Sequence, residues 1–202
     1  VLMRECFVVL GWAQVRRLFP QLSCVNSLAV NGQGVNVVSV HDLVAEPAGS
    51  GSFNANQPSL YAQCLAERIK TEKNPVRLVG WSMGGMVALE CAIWWPQYVS
   101  ELILVSSTAS FVNRDGYQAG VEPSVVRGLQ ETMKESREAA LKKFCMLVAL
   151  PTRLQRGYLS EYLDALRDVS DEQLLDGLQY LADCDMREIV ATRLRSAERF
   201  SV

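Results

Sequence analysis

A Gly-x-Ser-x-Gly pentapeptide constrains the fold of this chain more than any other stretch. Residues 80–84 read Gly-Trp-Ser-Met-Gly, and they join an apolar run (76–79) to a helix-compatible segment (86–95). This is the layout of a nucleophile elbow, a sharp strand-to-helix turn that carries a serine. Glycine is needed at both ends of the motif, because a side chain there would collide with the neighbouring strand or helix. The motif therefore predicts that the Ser82 hydroxyl lies at the carboxyl edge of a sheet.

Two interpretations of this serine remain open. Ser82 can act as a nucleophile, with the first N–H groups of the following helix, that of Met83 among them, directed at the reacting carbonyl. It can instead simply cap the helix, as serine commonly does at a helix N-terminus. The nucleophile interpretation is favoured, because strand, motif and helix occur together in the order that the mechanism needs.

The composition limits the class of protein. The chain has 202 residues, which suit one domain, and 49% of them are apolar, which excludes a disordered protein. The net charge of −2 gives no indication of a nucleic-acid partner. No signal peptide and no apolar run of transmembrane length is recognisable, so we expect a cytoplasmic protein without a membrane partner. The six cysteines show no CxxC spacing, so we expect no metal and no cofactor.

Strand and helix signals alternate in the first half of the chain. Apolar runs predict strands at 6–10, 35–40, 76–80 and 102–105, with helices before and after the third. This order predicts a parallel sheet with helices on both faces. From residue 111 onward helical patterns dominate, over 123–135, 136–147, 154–166, 171–182 and 186–194. We therefore expect a core at 1–110 and a helical cap, or lid, at 111–202.

Three stretches together resemble the α/β-hydrolase fold. They are Val-Val-Leu-Gly-Trp at 8–12, Gly-Trp-Ser-Met-Gly-Gly at 80–85 and Leu-Val-Ser-Ser-Thr-Ala-Ser at 104–110. Within that fold the chain is most similar to the pimeloyl-acyl-carrier-protein methyl ester esterases of biotin synthesis, on lid segments at 111–115, 143–147 and 175–187. The resemblance implies an α/β-hydrolase-type, mainly parallel sheet, truncated, with a helical lid.

The resemblance also implies a serine carboxylesterase that hydrolyses an acyl ester in two steps. Ser82 would attack the carbonyl, and the backbone N–H groups of Trp12 and Met83 would hold the oxyanion. An apolar acyl channel would be lined by Trp12 and by five consecutive lid residues, Phe144, Cys145, Met146, Leu147 and Val148. Ordinary packing within the lid is the alternative for Phe144 and Leu147.

In the same family, basic lid residues bind an acidic acyl carrier protein. The nearest counterparts in this chain are Lys143, Arg153 and Arg156. Such a patch would steer an anionic partner in a salt-dependent way. The alternative is that these side chains are merely solvated, as most Lys and Arg on amphipathic helices are. The sequence gives no indication of the oligomeric state.

The expected catalytic base is the point at which this chain departs from the family. These hydrolases use an Asp and then a His that follow later strands, whereas this chain has a single histidine, His41, ahead of Ser82. In the expected strand order, the strand before the oxyanion turn separates His41 from the elbow strand. A packed or hydrogen-bonded structural histidine is therefore favoured over a catalytic one. Two hypotheses follow: an esterase represented by an incomplete or divergent chain, or a non-catalytic module that binds an acyl group or acyl carrier protein.

Overall fold

The strands form one parallel sheet whose order places the elbow strand in the interior. The computed structural model describes residues 5–19, 35–44, 53–150 and 154–194. Its strands are β1 (Cys6–Leu10), β2 (Val35–Ser39), β3 (Val76–Trp81) and β4 (Val99–Val105). They pair in parallel in the order β2-β1-β3-β4. The expected separation of β2 from the elbow strand by β1 is confirmed.

Eight α-helices accompany the sheet in the described residues. They are α1 (Val40–Leu43), α2 (Leu60–Ile69), α3 (Met83–Trp94), α4 (Pro123–Glu135), α5 (Arg137–Ala149), α6 (Tyr158–Ala165), α7 (Asp171–Asp183) and α8 (Arg187–Ile189). A π-helical turn (Val190–Leu194) continues α8, and short 3-10 helices occupy Arg16–Leu18 and Pro96–Tyr98. Serine side chains cap α2, α5 and α7 by accepting a backbone N–H of the first turn.

The second half of the chain is helical, as its periodicity predicts. Beyond β4, the described residues contain helices and isolated bridges but no further strand. The boundary between core and cap at residue 110 stays a prediction. None of the described helices has the length and apolar character that crossing a membrane requires.

Helix α3, which follows the elbow, is the most deeply buried element. Every residue from Met83 to Ile93 is buried, as expected of a helix that is apolar around its whole circumference. Glu90 is the polar exception, and its carboxylate accepts hydrogen bonds from the Ser59 backbone N–H (2.5 Å), the Ser59 hydroxyl (2.6 Å) and the Tyr180 hydroxyl (3.0 Å). Burial raises the pKa of Glu90. These bonds connect α3 to the start of α2 and to α7.

Helix α7 packs against the carboxyl edge of the sheet through hydrogen bonds to two core segments. The indole Nε1 of Trp12 donates to the Leu174 carbonyl (2.8 Å). The side chain of Gln173 donates to the carbonyls of His41 (3.0 Å) and Val44 (3.1 Å). One helix of the second half thus holds both the segment after β1 and the segment after β2.

Candidate active site

Ser82 occupies a strained backbone conformation between β3 and α3. Its φ of 55° and ψ of −126° lie in a region that non-glycine residues rarely adopt. The Ser82 N–H donates to the Val105 carbonyl (3.0 Å), and its carbonyl accepts from the Gly85 N–H (2.9 Å) and the Ser107 hydroxyl (2.9 Å). The Ser82 hydroxyl forms no capping bond to α3, which leaves it available to a ligand. The backbone of the turn is thus fixed by hydrogen bonds, while the Ser82 hydroxyl has no hydrogen-bond partner among the described residues.

Close backbone packing explains the two glycines of the motif. A Cβ on Gly84 would lie 2.6 Å from the carbonyl carbon of Val9 in β1, and a Cβ on Gly80 would lie 2.7 Å from the Gly84 oxygen. Real Cβ atoms essentially never approach so closely. The elbow therefore requires glycine at both positions because α3 begins directly against β1 and β3.

The loop after β1 lies beside the serine. A Cβ on Gly11 would lie 2.9 Å from the Cβ of Ser82. The next residues bend sharply, since Ala13 has a φ of 52°. Side chains fix this bend: the Gln14 side chain accepts from the Gly11 N–H (2.8 Å), and the His41 Nε2 atom accepts from the Ala13 N–H (3.0 Å). The Ser39 hydroxyl donates to the Gln14 carbonyl (2.6 Å). We call residues 11–14 the oxyanion loop, after the role that the sequence predicts for the Trp12 N–H.

Two backbone N–H groups next to Ser82 are unpaired within the described residues. They belong to Trp12, in the oxyanion loop, and to Met83, the first residue of α3. Both side chains are buried, at 1% and 0% exposure. Within the described residues both groups keep an unused donor, which the oxyanion role predicted for Trp12 and Met83 requires.

The Trp12 ring packs behind the oxyanion loop. Its edge meets the Phe144 ring at a centroid distance of 4.5 Å and an interplanar angle of 85°. A Cβ on Gly177 would lie 2.5 Å from the indole, so α7 also contacts the ring closely. The ring positions the loop and supports Phe144 from behind.

A cavity of about 620 Å³ opens at Ser82. Phe144, Cys145 and Val148 of α5 line it, as do Tyr158 and Tyr162 of α6. The oxyanion loop contributes Ala13 and Gln14, and none of the described lining residues is charged. The volume falls in the range of small-molecule sites, and the lining suits an acyl chain.

Met146 and Leu147 lie on the other side of α5. They are 61% and 45% exposed and line a separate groove of about 520 Å³ with Lys142, Lys143 and Leu150. Consecutive residues of an α-helix point about 100° apart, so five in a row cannot all face one channel. The structure therefore brings three of the five α5 residues to the cavity at Ser82 and places these two outside it. Trp12, expected to line the same channel, is buried behind Phe144 and is not among the described residues that line the cavity.

The basic residues expected at a carrier-protein surface are solvent-exposed where they can be placed. Lys143 and Arg156 are exposed, and neither forms an ion pair with another described residue. Arg153 lies outside the described residues. Lys143 borders the groove formed by Met146, Leu147 and Leu150, so an apolar strip and a positive charge adjoin.

His41, the single histidine of the sequence, supports the oxyanion loop and makes no hydrogen bond to Ser82. Its side chain is 4% exposed. Burial, assisted by the positive charge of Arg137, lowers the pKa of His41 to about 4. The imidazole is neutral at pH 7, with Nε2 as an acceptor for the Ala13 N–H. This is the hydrogen-bonded structural histidine favoured from the sequence.

Sequence reasoning missed the contribution of α6 to the cavity. Tyr158 and Tyr162 stand four positions apart, a spacing that predicts only one face of an amphipathic helix. It also missed Ser107, whose hydroxyl donates to the Ser82 carbonyl. No sequence signal identifies such residues, because their role depends on the packing of α5 and α6 over the loop.

Curated relatives of this chain are ester hydrolases. It is 30% identical over 143 residues to a pimeloyl-acyl-carrier-protein methyl ester esterase of Klebsiella pneumoniae subsp. pneumoniae, a match that covers 69% of this chain and 54% of that protein. It is 34% identical over 116 residues to the enzyme of that name from Aliivibrio fischeri, a match that covers 56% of this chain and 45% of that protein. The chain thus spans about half the length of the curated relatives it matches. No family model matches it.

Solved structures of esterases and hydrolases share its fold. An esterase from Exiguobacterium antarcticum superposes with a TM-score of 0.73 at 22% identity, covering 94% of this chain and 70% of that one. A hydrolase from Oleispira antarctica superposes with a TM-score of 0.72 at 14% identity, covering 96% of this chain and 70% of that one. The predicted α/β-hydrolase fold, with its mainly parallel sheet, is confirmed, as is the resemblance to the pimeloyl-acyl-carrier-protein methyl ester esterases.

Proposed function

We propose that this chain, which has the α/β-hydrolase fold, belongs to a serine carboxylesterase whose nucleophile is Ser82. One observation carries the proposal: among the described residues, a serine whose hydroxyl makes no capping bond, held at a strained φ of 55°, opens onto a cavity with no charged lining residue and lies beside two unpaired N–H groups. The similarity to ester hydrolases supports the same reaction class.

The reaction proceeds in two displacements. The Ser82 hydroxyl oxygen bonds to the ester carbonyl carbon as its proton passes to a base, and the carbonyl oxygen becomes an oxyanion held by the N–H groups of Trp12 and Met83. Collapse expels the alcohol, which takes up a proton, and leaves an acyl-serine. Water then adds to the acyl-serine and releases the carboxylic acid and the free hydroxyl. Losing one oxyanion donor costs roughly 3–4 kcal/mol of transition-state stabilisation.

The substrate we propose is an acyl ester of moderate length, as in the methyl ester of a pimeloyl group on acyl carrier protein that the curated relatives are named for. The apolar residues Phe144 and Val148 suit the hydrocarbon part of such a group. The exposed Lys143 and Arg156 would meet the acidic carrier. The cytoplasm is the compartment in which we expect this reaction.

A second candidate is a non-catalytic module that binds an acyl group or acyl carrier protein. It is favoured by the position of His41, whose Nε2 atom is engaged by the Ala13 N–H, while no other histidine occurs in the sequence. Triad members act as a unit, and removing one costs orders of magnitude in rate. A chain without a base at Ser82 would retain the cavity and lose turnover.

Hydrolysis of p-nitrophenyl butyrate separates the two candidates. An esterase should lose at least about 10³-fold in kcat/KM in Ser82→Ala, because no other described group replaces the nucleophile. Ser124→Ala, an exposed serine at the start of α4, is the matched control and should retain the parental rate. Activity that survives in Ser82→Ala denies the serine its role. Absence of activity in the parent, with saturable binding of acyl carrier protein, supports the binding module.

Charge reversal tests the carrier-protein surface. Lys143→Glu should weaken binding of acyl carrier protein several-fold at 50 mM salt, and the difference should shrink at 200 mM because the attraction is screened. Lys73→Glu is the control, since Lys73 is exposed in the segment before β3, at the opposite edge of the sheet. Equal losses in the two variants would indicate a general charge effect and contradict a docking role for Lys143.

A further inference from the structure

The carboxamide of Gln14 is held at one end only. Its Oε1 atom accepts from the Gly11 N–H (2.8 Å), so the Nε2 atom, with two donor hydrogens, is turned away from that N–H. Nε2 has no hydrogen-bond partner among the described residues, and it is not one of their buried unpaired side-chain atoms, so a ligand can reach it. The bond at Oε1 thus holds an accessible donor in a fixed orientation.

This donor lies next to the candidate nucleophile. A Cβ on Gly11 would lie 2.9 Å from the Cβ of Ser82 and 3.1 Å from the Gln14 Oε1 atom, so both atoms lie within 3.1 Å of one point. Gln14 and Ser82 also line the same cavity. A group bonded to the Ser82 oxygen would therefore lie within reach of the carboxamide.

An ester at Ser82 presents two oxygens, and the main chain provides for one of them. In the proposed reaction the carbonyl oxygen is held by the N–H groups of Trp12 and Met83. The alkoxy oxygen gains negative charge when its bond to the acyl carbon breaks, and no described residue lining the cavity is charged. Within the oxyanion loop, the Trp12 indole N–H is already bonded to the Leu174 carbonyl, which leaves Gln14 as the side-chain donor.

We propose that Gln14 is a catalytic residue that donates a hydrogen bond from Nε2 to the alkoxy oxygen of the ester as the alcohol leaves. When the tetrahedral intermediate collapses, the bond between the acyl carbon and the alkoxy oxygen breaks, and its electron pair goes to that oxygen. The oxygen then takes up the proton that Ser82 released, whereas the Gln14 carboxamide keeps both of its hydrogens and acts only as a donor. This inference rests on the proposed function, since it assumes that Ser82 forms the acyl-enzyme.

The role predicts a dependence on the leaving group. A p-nitrophenolate ion is stable and gains little from a hydrogen bond, whereas an alkoxide such as ethoxide carries its charge on one oxygen and gains much more. Loss of the donor should therefore slow hydrolysis of ethyl butyrate roughly 10- to 100-fold more than hydrolysis of p-nitrophenyl butyrate. The two esters share one acyl group, so their occupancy of the acyl side of the cavity is the same.

Two variants remove the donor in different ways. Gln14→Glu keeps an oxygen for the Gly11 N–H but has no hydrogen for the alkoxy oxygen. Gln14→Met is of similar length, uncharged and without a donor, so it excludes an effect of the added charge. In both variants the ratio of kcat/KM for the ethyl ester to that for the p-nitrophenyl ester should fall by the expected factor. Titration of the released acid and absorbance of p-nitrophenolate measure the two rates.

Ser39→Ala is the matched control for the loop. The Ser39 hydroxyl donates to the Gln14 backbone carbonyl (2.6 Å), so its removal loosens the same loop and leaves the carboxamide in place. This variant should slow both esters by a similar factor and keep the ratio of the parent. A merely structural role of Gln14 would give the same result in its own two variants.

The outcomes separate this inference from the proposed function. The role of Gln14 is overturned, and the esterase proposal kept, by an unchanged ratio in its variants, by a fall confined to Gln14→Glu, or by an equal fall in Ser39→Ala. A parent that hydrolyses only the p-nitrophenyl ester has the same meaning. Hydrolysis of neither ester by the parent overturns the proposed function, and the role of Gln14 with it.

Discussion

The elbow and the oxyanion loop are both sharp turns with a non-glycine residue at positive φ, but different interactions hold them in place. Each holds a non-glycine residue at positive φ, Ser82 at 55° and Ala13 at 52°, and the two turns adjoin at the carboxyl edge of the sheet. Steric contact holds the elbow, since Gly80 and Gly84 allow backbone atoms to pack with no room for a Cβ. Hydrogen bonds to side chains hold the loop, chiefly from Ala13 to His41.

The difference decides what each turn is sensitive to. Steric exclusion does not change with pH, and it depends on residues within the motif and on the adjoining strand. A hydrogen bond to an imidazole depends on its protonation and on a residue 28 positions away along the chain. The elbow should therefore be destabilised only when atoms are added to its glycines. The oxyanion loop should be destabilised when a hydrogen-bond partner is removed or protonated.

The largest effect is expected from a single methyl group in the elbow. Gly84→Ala places a Cβ 2.6 Å from the carbonyl carbon of Val9, and backbone atoms cannot move aside cheaply, so we expect a loss of about 4 kcal/mol or more of unfolding free energy. Gly128→Ala is the control, because a Cβ there meets only the Lys143 Nζ at 3.8 Å. That helical exchange should gain about 0.5–1 kcal/mol. Urea unfolding measures both, and equal responses would refute the steric account.

Acid should weaken the loop and spare the elbow. The folded state keeps His41 neutral down to about pH 4, whereas the unfolded chain protonates it near 6.5, so the unfolded state binds more protons between these values. The unfolding free energy should therefore fall by up to about 3 kcal/mol as the pH drops from 7 to 4, and this contribution is constant below pH 4. The measurement is the difference in urea stability between the parent and His41→Gln, which cannot titrate. A difference independent of pH would contradict the prediction.

Removing the imidazole tests the loop at neutral pH. His41→Ala leaves the Ala13 N–H without an acceptor and should cost about 2 kcal/mol of unfolding free energy. If the oxyanion loop serves hydrolysis, kcat should fall more than KM rises, because the Trp12 N–H acts mainly on the transition state. His41→Gln supplies an amide oxygen near the position of Nε2 and should recover part of both losses. A fall in stability with unchanged kcat would show that His41 stabilises the fold and has no role in hydrolysis.

The smallest change in unfolding free energy should come from relieving the backbone strain at Ser82. Ser82→Gly relieves the positive φ and should raise the unfolding free energy by about 1 kcal/mol while abolishing hydrolysis. Ser107→Gly is the matched exchange at a residue without positive φ, and it removes the hydroxyl that donates to the Ser82 carbonyl. It should lower the unfolding free energy by about 1 kcal/mol. Thermal and urea unfolding of the two variants should therefore shift in opposite directions.

Much of the fold follows from local patterns. The apolar runs locate all four strands, with β4 beginning at Val99, three residues before its predicted start. The Pro-Ser start predicts α4 over 123–135, which is its observed range. Helix and strand propensities act over a few residues, so their signal is present in the sequence itself.

The lining of the site could be predicted only in part. Phe144, Cys145 and Val148 line the cavity at Ser82, whereas the adjacent Met146 and Leu147, predicted to line the same channel, line the outer groove. A resemblance between segments carries no information on which way each side chain of a helix points. Tyr162 gave no signal at all, because its place in the lining depends on how α5 and α6 pack over the loop.

By itself, the sequence determined the turn at residues 80–84 and the parallel sheet that presents it, because steric exclusion at glycine and the periodicity of apolar residues act over short distances. Only the tertiary structure decided that His41 supports Ala13, that the Trp12 indole bonds to Leu174 162 positions away, and that Tyr162 reaches the cavity at Ser82. Contacts between residues so far apart along the chain depend on how whole helices pack against the sheet, and no local pattern encodes that packing.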